Sequence, residues 1–352
     1  RAMVMFDMVR LWGDFPVITT VADDITSENI DEVYPQYFPK QNTELEAYQQ
    51  IEKDLLDAVL YAPDNTPGNK TLFSKSVART LLAKIYAEKP LRDYTKVIQY
   101  CDEVKADGFD LVDDFSDLFG MNAAGTDAKM RNTKESILEA QFTSGAGNWC
   151  TWMFGRDLVN WNNNFTWAKW VTPSRDLISA FKQEGDEVRF KESIVYYDCN
   201  WSNYYPSDNY PFMYKCRSAN SSIIKYRYAD VLLLKAEALI MQDTPDLEGA
   251  ADIIDEVRDR AKLGALPTSV RSNKNVLLNA LLKERRLELA FEGQRWFDLV
   301  RLDKVEEVMN AVYAKDSGRK AQIYTFDKNS YRLPIPQSVI DANDKIHQNP
   351  GY

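Results

Sequence analysis

Two stretches far apart in the chain repeat one helical grammar, and that repetition narrows the folds open to it. Ser76 to Glu88 (SVARTLLAKIYAE) and Asp93 to Lys105 (DYTKVIQYCDEVK) carry apolar residues at helical spacing, with Pro90 marking the turn between them and Gly108 the end. Tyr228 to Ile240 (YADVLLLKAEALI) and Leu247 to Lys262 (LEGAADIIDEVRDRAK) do the same, LLAKIYAE aligning loosely with LLLKAEAL and CDEV with IDEV. A pair of amphipathic helices cannot bury its apolar faces alone, so two related pairs predict a tetratricopeptide-like array whose members stack on further helices. Glu44 to Leu60 supplies one such helix, with Leu45, Tyr48, Ile51, Leu55 and Val59 on the helical period and turn chemistry in the PDNTPGNK that follows. Val276 to Leu302 supplies another, broken at Gly293.

The expected fold is therefore mainly α: a helical-repeat superhelix over about 1–108 and 225–310, with a large irregular insertion over about 109–224 and an extended, Pro-rich tail over 320–352. With 352 residues and 45% hydrophobic content the chain can bury a sizeable core as a single domain. No apolar run approaches the roughly 18 residues of a membrane-spanning helix. The chain opens inside an amphipathic helix (RAMVMFDMVRLWGDFPVI), which leads us to expect further residues upstream of Arg1.

A net charge of −10 argues against nucleic-acid binding, which needs clustered Lys and Arg to meet phosphates. The four cysteines, Cys101, Cys150, Cys199 and Cys216, are too dispersed for a CxxC metal or redox pair and read as free buried thiols, with a disulfide left open because sequence does not fix pairing. The single histidine, His347, lies in the tail, which removes HExxH zinc sites and leaves a Ser-His-Asp triad without a well-placed ring. Gly145-Ala146-Gly147 meets Cys150 where a dinucleotide fingerprint needs its third glycine, and no Walker lysine motif occurs. Glu284, Glu288 and Glu292 recur at i, i+4, i+8 along one helical face. With Arg285, Arg286 and Arg295 within three or four positions, they read as a partly buried ion-pair lattice instead of a catalytic acid pair.

The insertion concentrates five of the eight tryptophans between Trp149 and Trp170, in WCTWMFGRDLVNWNNNFTWAKW. Trp149, Trp152 and Trp161 alternate with Arg156, Asn160, Asn162 and Asn163, and a second cluster, CNWSNYYPSDNYP, holds Trp201, Tyr204 and Tyr205. Flat rings beside amide and guanidinium groups suit a sugar, which offers apolar C–H faces and a rim of hydroxyls. One ring that removes roughly 100 Å² of apolar surface from water contributes on the order of 2.5 kcal/mol before binding entropy is subtracted. For Trp149, Trp152, Trp161 and Trp201, ligand contact and packing both stay open. Trp167 and Trp170 precede a helix capped by Thr172 or Ser174 and read as structural, and Trp12 and Trp296 as core.

The run KERRLELAFEGQRWFDLVRLDK (Lys283 to Lys304) resembles the signature of the SusD/RagB family of outer-membrane nutrient-binding lipoproteins of the Bacteroidetes. RAMVMFDMVRLWGDFPVIT, YRYADVLLLKAEAL and LPIPQSVIDANDKIHQNPGY resemble further family blocks in the family's order, so the likeness covers almost the whole chain. It implies a right-handed tetratricopeptide-like superhelix whose irregular half holds ligand at the cell surface without cleaving it. The partners implied are an oligosaccharide, or a peptide in some members, and a SusC-like TonB-dependent transporter. Attachment to the outer membrane would run through a lipid anchor preceding the block that opens here. The ligand-binding candidates are Trp149, Trp152, Arg156, Trp161, Asn162, Asn163, Trp201, Tyr204 and Tyr205. No cofactor is required, and whether calcium assists the ligand is left open. A tetratricopeptide adaptor and a glycosidase are the rival readings, the first disfavoured by the aromatic insertion and the second by the lack of a recognisable carboxylate pair.

Overall fold

The computed structural model of the chain describes residues 1–143, 171–198, 205–206, 208–315 and 325–352. Its longer helices are α1 (Ala2–Trp12), α2 (Glu44–Tyr61), α3 (Lys75–Ala87), α4 (Tyr94–Ala106), α5 (Arg175–Glu184), α6 (Glu187–Ser193), α7 (Tyr228–Met241), α8 (Leu247–Arg260), α9 (Lys274–Glu288), α10 (Arg295–Arg301) and α11 (Val305–Lys315). The two helix pairs anticipated from the repeat form within two residues of their expected ends. Local chemistry sets those ends. Thr43 and Glu46 make a capping box at the start of α2, while Asp93, Ser174, Asp246 and Asn273 cap α4, α5, α8 and α9 through side-chain oxygens. The break expected at Gly293 separates α9 from α10, and that glycine adopts a left-handed φ of 75°.

Packing follows chain order, α1 on α2, α2 on α3, α3 on α4, after which α7 lies against α3, α4, α8 and α9. One continuous apolar core runs through these helices. Helix α7 sits at its centre: Val231, Leu232, Leu233, Leu234, Ala236, Ala238 and Ile240 are all buried, as befits a helix surrounded by others, and its buried Asp230 and Glu237 are paired with Arg285 and Arg301. Among the described residues no helix is long and apolar enough to cross a membrane.

The segment expected to be irregular is more ordered than its weak periodicity suggests. It contains α5, α6 and two short antiparallel pairs, β1 (Ser136–Ala140) with β4 (Ile223–Arg227) and β2 (Ile194–Tyr197) with β3 (Tyr210–Met213), in the register Tyr197↔Tyr210 to Ile194↔Met213. Strands of four or five residues are too short to show alternation. Trp12 and Trp296 are half-buried, not core: Trp296 lies at the edge of a small cluster with Leu299, Val300 and Val305, its ring 6.0 Å from Phe326. The tail is not wholly extended either, since it holds a helical turn at Gln337–Ala342 and docks on α1, Leu333 N–H donating to Leu11 O at 2.7 Å and Asn349 Nδ2 to Trp12 O at 2.9 Å.

Candidate functional site

Of the nine ligand-binding candidates, Tyr205 lies within the described residues; Trp149, Trp152, Arg156, Trp161, Asn162, Asn163, Trp201 and Tyr204 lie outside them. The structure does define the frame from which both aromatic segments spring. Ser174 Oγ accepts from Leu177 N–H at 3.1 Å to start α5, which settles the cap between the two residues the sequence offered. Thr172 instead meets Tyr210 at the start of β3, hydroxyl to hydroxyl at 2.5 Å. Tyr205 donates its hydroxyl to Pro173 O at 2.8 Å, packs its ring edge-on against Tyr210 at 5.7 Å, and carries the Arg175 guanidinium 4.7 Å over its face. Residues 171–175, 205–206 and 208–210 therefore form one patch, so the chain leaves the tryptophan-rich segment and the second cluster side by side.

The entry to the first segment is held separately. Arg131 donates to Phe142 O at 2.8 Å and to Asn220 O at 3.0 Å, and forms a bidentate pair with Asp127 at 2.6 and 2.9 Å. The sequence reading missed Arg131, Thr172 and Tyr210 as holders of this face; their signal is in long-range pairing, which no local pattern reports.

Beneath the patch lies a buried charge lattice that joins the insertion to the helical array. Arg189 of α6, without measurable exposure, donates to Asp186 at 2.5 Å, Glu284 at 2.6 Å and Glu288 at 3.0 Å. Arg227 of β4 reaches Glu135 at 2.7 Å, Glu288 at 2.5 Å and Glu292 at 2.7 and 2.8 Å. Arg260 of α8 adds Glu288 and Glu135, and Lys215 donates to Glu292 at 2.6 Å and to Glu288 O at 2.9 Å. Burial works to raise the Glu288 carboxyl, but Arg260, Arg227 and Arg189 outweigh it and hold the group well below the ordinary glutamate range. Burial likewise pulls the Lys215 amine down to about 8 against the attraction of Glu292.

The lattice anticipated for the glutamate stripe is present, with different partners. Arg285 pairs with Asp230 and Asp298, Arg286 with Asp176, and Arg295 donates to Leu282 O, so none of the three neighbouring arginines serves the stripe. Residues four apart on a helix share a face, but Arg285 follows Glu284 directly and points elsewhere. Because Glu284, Glu288 and Glu292 are each engaged by buried cations, they offer no free acid or base.

Cys101 is buried and unbridged and Cys216 is buried, while Cys150 and Cys199 lie outside the described residues. Among the described residues no group of three or more His, Cys, Asp or Glu side chains is placed to hold a metal ion.

Residues 208–352 match the SusD family. The SusD-like protein P2 of Formosa agariphila is 28% identical to this chain over its whole length, which spans 72% of that relative. Among solved structures, a SusD superfamily protein of Parabacteroides distasonis superposes on the whole chain with a TM-score of 0.76 at 23% identity, the chain covering 77% of it. A laminarin-binding SusD-like protein does so with a TM-score of 0.73 at 24% identity, again with 77% of that chain covered. These likenesses establish the fold.

Proposed function

Because the chain belongs to the SusD/RagB family, we propose that it captures an oligosaccharide or polysaccharide at a bacterial cell surface, without cleaving it, for delivery to a SusC-like TonB-dependent transporter in the outer membrane. One observation carries this reading. The two segments that hold Trp149, Trp152, Trp161, Trp201 and Tyr204 emerge from a single braced patch, pinned by Tyr205 to Pro173 and Thr172 to Tyr210. Rings and amides delivered from one rigid base can present a common platform, and a platform set before ligand arrives lowers the ordering cost of binding. Arg156, Asn162 and Asn163 supply the hydrogen bonds that orient the sugar, and Trp149, Trp152, Trp161 and Trp201 its apolar contacts. The laminarin-binding neighbour makes a β-glucan a natural member of the first ligand panel.

Native affinity electrophoresis tests the reading, with the soluble chain run through gels that contain laminarin or other plant, host and microbial polysaccharides. We expect retardation by one glycan class with no reducing ends released, and loss of that retardation in Trp152→Ala or Trp161→Ala with the thermal midpoint held within a few degrees. Retardation by no glycan refutes sugar capture and shifts the ligand class to peptide; release of reducing ends refutes the non-catalytic role. Parallel gels with calcium or EDTA decide whether an ion assists.

A further inference from the structure

A cavity lies at the other end of β3, away from the aromatic patch. The strand runs from Tyr210 at the patch to Met213, three residues or about 10 Å further on. There a cavity of about 440 Å³ opens between α1, the start of β4 and the loop joining α9 to α10. Its volume falls within the range typical of small-molecule sites. The walls are largely apolar: Leu11, Phe119, Met213, Ile223, Phe291 and Phe297 face it. Phe291 holds a left-handed φ of 65°, a conformation strained for an aromatic residue and retained here at the cavity wall.

The polar groups of this cavity are unevenly used. Its carboxylates are paired: Asp7 takes Arg10 at 2.6 Å and Lys225 at 2.8 Å, and Glu292 takes Lys215 and the Nε–Nη2 edge of Arg227. Its donors are only partly used. An ammonium has three N–H groups; among the described residues Lys215 uses two in hydrogen bonds, on Glu288 O and Glu292, with its amine 4.7 Å from the Phe119 ring centroid, and Lys225 uses one. Arg10, held between the Phe6 and Phe297 rings at 4.0 and 3.9 Å, donates through Nε and Nη2 and has no hydrogen bond from Nη1 among the described residues. The Ser222 hydroxyl is enclosed without a partner among the described residues. Three cations face two carboxylates, so the lining carries a surplus positive charge and spare donors above apolar walls.

We propose that this cavity binds an amphipathic carboxylate, an acyl chain or aromatic ring bearing a single anionic head, with the head at Lys215, Ser222 and Arg10 and the apolar body against Phe119, Phe291 and Ile223. A neutral ligand would leave the spare donors unmet, and a doubly charged one would bury charge against phenyl rings without a partner.

Calorimetric titration of the whole chain at neutral pH with octanoate, 4-phenylbutyrate and 1-octanol tests this. One acid molecule should bind per chain, about tenfold or more tighter than the alcohol, the margin of one charge-assisted hydrogen bond. Preference for octanoate assigns an acyl ligand and preference for phenylbutyrate an aromatic one; either supports the site. Ile223→Trp, which fills the mouth from a partly exposed position, should abolish binding, and Lys215→Met should reduce the acids to the level of the alcohol. Absence of saturable binding by either acid, equal binding of acid and alcohol, or unchanged binding in Ile223→Trp overturns the proposal. No glycan enters the assay, so its outcome is separate from that of the glycan gels.

Discussion

Replacing Glu288 by glutamine probes the lattice at the point where most of it converges. The carboxylate is fully buried and accepts from Arg227 at 2.5 Å, from Arg189 at 3.0 Å and from Arg260. The amide keeps the shape but removes the charge and turns donors toward a guanidinium. Breaking a buried ion pair from one side costs about 3–5 kcal/mol. Each arginine here keeps another carboxylate, Arg189 Asp186 and Glu284, Arg227 Glu135 and Glu292, Arg260 Glu135, which places the loss near the lower end. About 3 kcal/mol corresponds to a fall in Tm of roughly 4 °C for a chain of this size. Urea denaturation and calorimetry would read both, with Glu307→Gln as control, since that side chain is 66% exposed and its change should stay within about 0.5 kcal/mol. The pH dependence has a fixed sign. A carboxyl held below its unfolded value near 4.5 stabilises the fold fully above that pH and loses the contribution as pH falls through the folded value, so the gap between wild type and Glu288→Gln should close below about pH 4.5. A stability loss no larger than that of Glu307→Gln, or a gap that widens in acid, would refute the assignment of Glu288 as an ionised hub.

Two further outcomes follow from the same geometry. Lys215 has the opposite linkage: with its amine at about 8 in the fold and 10.5 when unfolded, the unfolded chain holds the extra proton between those values, so stability relative to Lys215→Met should rise as pH climbs from 8 to 10.5, and a flat difference in urea midpoints would contradict it. Tyr205→Phe removes the bond to Pro173 O while leaving the ring against Tyr210 and Arg175, for an expected cost of about 1 kcal/mol in chemical denaturation and a measurable loss of glycan retention, whereas unchanged stability and retention would show that the pin is dispensable.

The helical frame was legible because its information is local. The apolar rhythm of Leu81, Leu82 and Ile85, the turn at Pro90 and the stop at Gly293 act within a turn or two of themselves, and the structure reproduces them. The buried lattice was legible only in part. Three glutamates on one helical face announced a need for cations, but Arg189, Arg227 and Lys215 lie 61–99 positions from their partners, and neither period nor motif links such residues. The same holds for the patch around Tyr205, where proximity to Pro173 and Tyr210 arises from the folding of β2 against β3 and not from any pattern in CNWSNYYPSDNYP. Short strands such as β3, buried at all four positions, give no alternation to read.

The lattice also determines how the molecule responds to pull. Arg189 on α6 belongs to the insertion, Arg227 closes β4 where the insertion rejoins the array, and Glu284 and Glu288 lie on α9 of the array, each of the four touching at least two oppositely charged neighbours. Tension applied through a long polymer gripped at the aromatic patch would therefore pass through β2, β3 and α6 into α9, where several short contacts share it in parallel. Peeling the insertion away would require those contacts to fail together, not one at a time as in an unzipped hairpin. A pull on that patch would thus load the deepest part of the helical stack.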